Sequence, residues 1–207
     1  YVTLLDVADA LTERLTRLFL RDDTGRRACF GDSDPSGLGG FCQGTFWHFL
    51  VPECDFDVLS TPILEFLAAC FNILTFAHEL AGLLQAEETH VVLRTDALTT
   101  ALTLPFETQR STALVEAFQW LRERPEWTVL APKLQVAQLF GDCNPFSDRI
   151  SRSRWTSFRR LCVQHNLRPN QIALPDSCRQ LYRHVVQTLR SRREPLRAGA
   201  RRLADRL

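Results

Sequence analysis

The chain sets four acidic residues in four different contexts: Asp32 in GDSDPSGLGGF, Glu65 in TPILEFLAAC, Asp96 in VVLRTDALT and Asp148 in GDCNPFSDRISR. Asp32 and Asp96 stand at or near the ends of predicted strands. Glu65 falls inside an apolar helix, and Asp148 opens another. A carboxylate in apolar surroundings is costly unless paired or bound to metal. Four that converge form a natural cage for two divalent cations, which take hard oxygen ligands. Each acid also has an ordinary explanation. Asp32 suits a turn, Glu65 the first-turn dipole of its helix, Asp96 a helix cap, and Asp148 an ion pair with Arg149 or Arg152. Asp34 competes locally for the role of Asp32. The ordinary explanations account for the acids one at a time, whereas a shared site accounts for all four.

The elements that must position them follow from periodicity. Residues 1–20 have helical apolar spacing, and 21–27 form a polar turn. A strand at 28–30 runs into Asp32, residues 35–40 read as a Gly-rich turn, and strands follow near 39–43 and at 45–51. Ser60 or Thr61, with Pro62 behind it, opens a helix that is apolar almost all round from 63 to 84. Glu65, Asn72, His78 and Glu79 within it argue against a membrane span. A strand at 90–94 leads to Asp96 and a short helical stretch to Leu104. A helix at 111–122, a strand at 134–140, a loop at 141–145 and one helix at 146–165 come next. Residues 171–175 read as a linker, and 178–207 as a basic helical stretch broken near Pro195. The order β-β-β-α-β-α-α-β-α implies a mixed sheet with helices on both faces.

The 207 residues, 45% hydrophobic and 24% charged, are ordinary for a globular chain. Tyr1 at the start and the lack of any Met suggest a piece of a longer polypeptide, and nothing near the start resembles a signal peptide. Seven cysteines, odd in number and without CxxC spacing, read as reduced, mostly buried thiols of an intracellular protein (cytoplasm or nucleus), and argue against a zinc site. The net charge of +1 hides an asymmetry. Residues 151–207 hold 14 Arg and no Lys against Asp176, Glu194 and Asp205, a net of +11, so residues 1–150 carry −10. An acidic body with a basic tail suggests an acidic or metal-loaded site beside a polyanion-binding surface. A solvated Arg-rich helix leading to another domain explains the tail equally well.

Four segments in order carry a family resemblance: DSDPSGLGGF at 32–41, E-x-x-A at Glu65–Ala68, TDA at 95–97 and GDCNPFSDRISR at 141–152. The chain resembles the ribonuclease H domain of a retroelement reverse transcriptase, DIRS-like in flavour. The resemblance implies an α/β fold, a ribonuclease H-like mixed five-stranded sheet flanked by helices on both faces. With the ribonuclease H-like domain placed at 26–170, the spacing and charge of the flanks make residues 1–25 an N-terminal helical extension and 171–207 a basic helical tail or linker.

The activity so implied is hydrolysis of the RNA strand of an RNA–DNA hybrid by an endoribonuclease using two Mg²⁺ ions, with Mn²⁺ as substitute. Asp32, Glu65, Asp96 and Asp148 would be the catalytic metal ligands. Two ions about 3.5–4 Å apart supply a nucleophilic water and neutralise the leaving oxygen. Asn144, Arg149, Arg152 and Arg154 are the candidate nucleic-acid contacts. An upstream reverse transcriptase domain in the same polypeptide is the implied partner, with no membrane. Two alternatives share the superfold: a catalytically decayed binding module, and a nuclease or transposase acting on DNA. The chain departs from the family's pattern at Gly31, where Thr or Ser is commoner, and at Ala97, where Asn is frequent. No His lies between Leu134 and Asp148 to assist product release. Trp47, Trp120, Trp127 and Trp155 read as core or rim aromatics, and the five histidines as structural or surface residues.

Overall fold

The turn after Asp34 takes only Pro35 and Ser36, so the glycines that follow are strand residues rather than turn residues. In the computed structural model, β1 (Arg27–Asp34), β2 (Gly37–Cys42) and β3 (Thr45–Leu50) form an antiparallel meander. The structure describes residues 27–42, 44–81, 91–95, 100, 112–138 and 144–204. The expected helix at 1–20, Asp96 and the helical stretch to Leu104 therefore lie outside the described residues, Thr100 apart.

After the meander, α1 (Thr61–Ala81) crosses to β4 (Val91–Thr95), which runs parallel to β1. Helices α2 (Thr112–Arg122) and α3 (Pro125–Leu130) lead to β5 (Leu134–Gln138), parallel to β4. The chain closes with α4 (Pro145–Ser151), α5 (Trp155–Gln164), β6 (Asn170–Gln171) and α6 (Asp176–Ala204). The sheet order is β5-β4-β1-β2-β3-β6. The mixed α/β class is as expected. The strand count is not, because six strands replace five: a two-residue strand, which takes in the first residue of the segment read as a linker, pairs beside β3.

Side-chain alternation puts the two faces of the sheet to different uses. Leu38, Cys42 and Trp47 join α1, α2, α3 and α6 in the larger core. Phe41 and Phe46 point the other way, into a smaller core with Phe146, Ile150, Phe158 and Cys162 of α4 and α5. Helix α1 is apolar all round because it packs on the sheet and is covered by α3 and α6. Its one fully buried amide, Asn72, accepts from Trp47 Nε1 at 2.9 Å. Two sheet glycines set how closely the helices approach. A Cβ on Gly39 would stand 2.6 Å from the Ser151 nitrogen of α4, and one on Gly40 would collide with Asn72 and Trp47.

The single helix expected at 146–165 is two. Ser153 has φ 54, Ser153 N donates to Ile150 O at 3.0 Å, and Arg154 N donates to Arg149 O at 2.7 Å. That is a Schellman ending with Ser where Gly is usual. Helix α5 ends in the same way at Asn166, with φ 55 and Leu167 N donating to Cys162 O at 2.8 Å.

The basic C-terminal stretch folds onto the body. Cys178, Leu181, Tyr182, Val185 and Val186 are buried in the larger core. Tyr182 donates to buried Asp55 at 2.8 Å, and Arg190 pairs with the same carboxylate at 2.5 Å. Thr188 and Arg192 both reach Glu116 of α2. The helix also continues past Pro195 to Ala204, where a break was expected. Proline removes one N–H donor there, but its strong helix-forming neighbours carry the helix on. No helix among the described residues is long and apolar enough to cross a membrane.

Candidate active site

The register of β1 sorts its last residues by face. Asp32 and Asp34 point toward α4, and Gly31 and Ser33 point toward α1. Asp32 is 4% exposed and accepts a 2.7 Å hydrogen bond at Oδ2 from Ser151 Oγ at the end of α4. Asp148, one turn earlier on α4, is anchored through the start of that helix. Pro145 occupies its first turn, and Asp148 N donates to Asn144 O at 3.1 Å. The Asn144 side chain does not cap its own helix. It is 1% exposed, and its Nδ2 donates to Gly31 O at 2.9 Å, tying the start of α4 to β1.

Two acids then meet one cation. Arg152 Nε lies 2.6 Å from Asp148 Oδ1, and a second guanidinium nitrogen lies 3.7 Å from Asp34 Oδ2. The charge of Asp148, with smaller contributions from Asp34 and Asp32, holds the Arg152 guanidinium above its usual pKa despite partial burial. Asp34 is itself held by Ser36, whose hydroxyl donates at 2.7 Å and whose backbone N donates at 3.1 Å.

Glu65 is on the other face. It is 7% exposed on α1 and accepts from Ser33 Oγ at 2.7 Å. It is one residue along β1 from Asp32 and across the sheet from Asp148. Asp96 lies outside the described residues. Strand β4 ends at Thr95, and its register sets Arg94 beside Phe30, two residues before Asp32. The structure thus brings Asp32 and Asp148 to one side of β1 with Asp34, and holds Glu65 behind them through Ser33. Among the described residues, no three His, Cys, Asp or Glu side chains gather closely enough to hold a metal ion.

The donor chemistry of the α4 side fits a divalent cation even so. Asp32, Asp34 and Asp148 carry the hard oxygen donors that such a cation takes, and their charges raise the pKa of the neighbouring Arg152. Arg152 is 42% exposed at its side chain, and an exposed i,i+4 pair contributes only about 0.3–0.5 kcal/mol. That pair alone therefore adds little to the stability of the fold.

The other basic candidates divide. Arg149 turns inward, donating to Pro145 O at 2.7 Å, and its burial lowers its pKa. Arg154 is exposed. Ser151, Ser33 and His48 are site neighbours that the sequence reading did not single out. Ser151 follows Asp148 by three residues and so shares its helix face, a spacing that was legible. His48 Nε2 lies 3.2 Å from Ser153 Oγ, its ring meets Trp155 edge-on at 5.0 Å, and burial lowers its pKa.

Among the described cysteines, Cys42, Cys70, Cys162 and Cys178 are buried free thiols and Cys54 is exposed. Burial pushes Cys162 up to about 11 and Cys178 to about 12, so neither is a nucleophile near neutral pH. Comparison of the chain with protein-family models, with curated proteins and with solved structures returns no match.

Proposed function

We propose that the chain is a metal-dependent endoribonuclease of ribonuclease H type, hydrolysing the RNA strand of an RNA–DNA hybrid as part of a retroelement reverse transcriptase polyprotein. The observation that carries this reading is that Asp34 of β1 and Asp148 of the distant helix α4 meet at the Arg152 guanidinium, with buried Asp32 on the same face of β1 bonded to Ser151 of that helix. The sheet supports it: an antiparallel β1–β3 meander with β4 and β5 added in parallel beyond β1 is the mixed arrangement that the resemblance implies.

On this reading Asp32 and Asp148 would hold Mg²⁺ from the α4 side, and Asp96, with Glu65 from the α1 side, would complete the set. The bound ions supply an activated water and neutralise charge on the leaving oxygen. Ser151 orients the Asp32 carboxylate. Asn144 fixes the start of α4 against β1, and with it the position of Asp148. The 2′-hydroxyls in the wide minor groove distinguish the RNA strand.

A second reading, the decayed nucleic-acid-binding module, draws on the Glu65–Ser33 bond on the opposite face and on Arg152 standing among the acids. One experiment separates the two. An end-labelled hybrid is incubated with Mg²⁺ or Mn²⁺ beside single-stranded RNA, duplex RNA and duplex DNA, using wild type, Asp32→Asn and Asp96→Asn. Hybrid-only cleavage that both variants abolish supports the nuclease. Binding of the hybrid without cleavage under either metal supports the module, and cleavage of duplex DNA moves the assignment to a DNA-acting relative.

A further inference from the structure

Residues 149–175 contain six Arg and no Asp or Glu. The structure spends two of these arginines locally: Arg149 on the Pro145 carbonyl, and Arg152 on Asp148 and Asp34. Arg154, Arg159 and Arg160 are different. All three are exposed on or just before α5, and among the described residues none forms an ion pair or a side-chain hydrogen bond.

The surface they frame is shaped. One hollow of about 370 Å³ is lined by Ser153, Arg154, Trp155, Thr156, Ser157 and Arg160. A second of about 460 Å³ lies between Phe46, Trp155, Phe158, Arg159, Pro169 and Gln171. Trp155 borders both. It is half-buried and fixed from beneath by Phe46 and His48, with ring centroids at 6.1 and 5.0 Å. Each hollow therefore offers guanidinium donors beside a rigid aromatic floor, and the first adds three hydroxyl-bearing residues. This surface begins two residues past Ser151, whose hydroxyl bonds Asp32.

We infer that this α5 face is the track for the phosphodiester backbone of the duplex beside the acid site, with Arg154 and Arg160 taking phosphate at one hollow and Arg159 at the other. The inference rests on the nuclease reading for the identity of the duplex. The chemistry of the face selects the ligand class: the unpaired guanidiniums match phosphate oxygens, and Arg binds them in a planar fork. The polarity of the chain is compatible, because residues 1–150 carry a net −10 and residues 151–207, which include this face, a net +11 that draws a polyanion.

The test is binding of a fluorescent RNA–DNA hybrid in EDTA over a range of KCl, so that neither metal nor cleavage enters. Arg154→Gln/Arg160→Gln is compared with Arg179→Gln/Arg183→Gln, a charge-matched pair exposed on α6 beyond the opposite face of the sheet. The α5 pair should weaken binding on the order of tenfold per arginine near 0.1 M salt, with a salt slope shallower by about one per arginine. The α6 pair should stay within about twofold of wild type. Equal losses from both pairs, or an unchanged slope in the α5 pair, overturn the inference. So does competition by polyglutamate as strong as that by nucleic acid. If the α5 pair behaves as expected while wild type cleaves nothing with Mg²⁺ or Mn²⁺, the track stands and the nuclease reading fails.

Discussion

Ser151 Oγ donates to Asp32 Oδ2 at 2.7 Å, joining the last residue of α4 to the first acid of β1 across 119 positions of chain. The same hydroxyl lies 3.1 Å from Asp148 O, so one small side chain is in touch with both elements that carry the acids. Asp32 is 4% exposed, and a hydrogen bond to a buried charged group is worth about 1.5–3 kcal/mol. Ser151→Ala should lower the urea-unfolding free energy by that order. In an Asp32→Asn background the same change should cost less, because the acceptor is then neutral. Additive effects in that double-mutant cycle would show that the contact is geometric only.

Arg152 occupies the field of Asp148, Asp34 and Asp32. A divalent cation must displace it or share the acids with it. Arg152→Gln removes the competing charge and should tighten Mn²⁺ binding several-fold, measured by isothermal titration or by the loss of the free Mn²⁺ resonance. Asp148→Asn should weaken that binding. Unchanged affinity in Arg152→Gln would place the cation away from this cluster.

The meander was legible because its strands are short, apolar and punctuated by turns, and Asp32 was legible because it closes an apolar run. The GLGG segment misled for a physical reason. Glycine signals a turn locally, but here α4 and the Asn72–Trp47 pair press on the strand and leave no room for side chains. The break between α4 and α5 was illegible because Ser153 adopts a conformation usually given to Gly. Helix α3 has six residues, too few for periodicity to speak. That Ser33 would hold Glu65 on the far face depends on strand parity, which a one-residue shift in register inverts. The folding of residues 176–192 onto the body could have been suspected from Leu181, Tyr182, Val185 and Val186, but the surrounding arginines dominated the reading.

Gly39 sets the distance between sheet and α4. A Cβ there would meet Ser151 N at 2.6 Å and Ile150 at 2.8 Å, backbone and branched side chain that cannot swing away. Overpacking of this kind costs about 1–3 kcal/mol. Gly39→Ala should lower the urea midpoint and, by lifting α4, move Asp148 and Ser151 away from Asp32. Mn²⁺ affinity should fall in the folded variant at low urea. A variant with wild-type stability and wild-type metal affinity would contradict the close packing.

His48 supplies a pH signature that needs no substrate. Burial lowers its pKa below 6.5, opposed in part by a hydrogen bond with the Ser151 backbone. The unfolded chain, with His near 6.5, therefore takes up the proton first as pH falls. Above that value both states are neutral and His48 costs nothing. As pH drops through 6.5 toward the folded pKa, the native state loses stability, and below the folded pKa the loss levels off. The wild-type urea midpoint should fall between pH 7.5 and 5 by more than that of His48→Gln. The difference between the two curves isolates His48 from the groups that the two proteins share. Parallel curves would mean that the imidazole is as well solvated in the fold as in the unfolded chain, and that its contacts with Ser153 and Trp155 do not bury it.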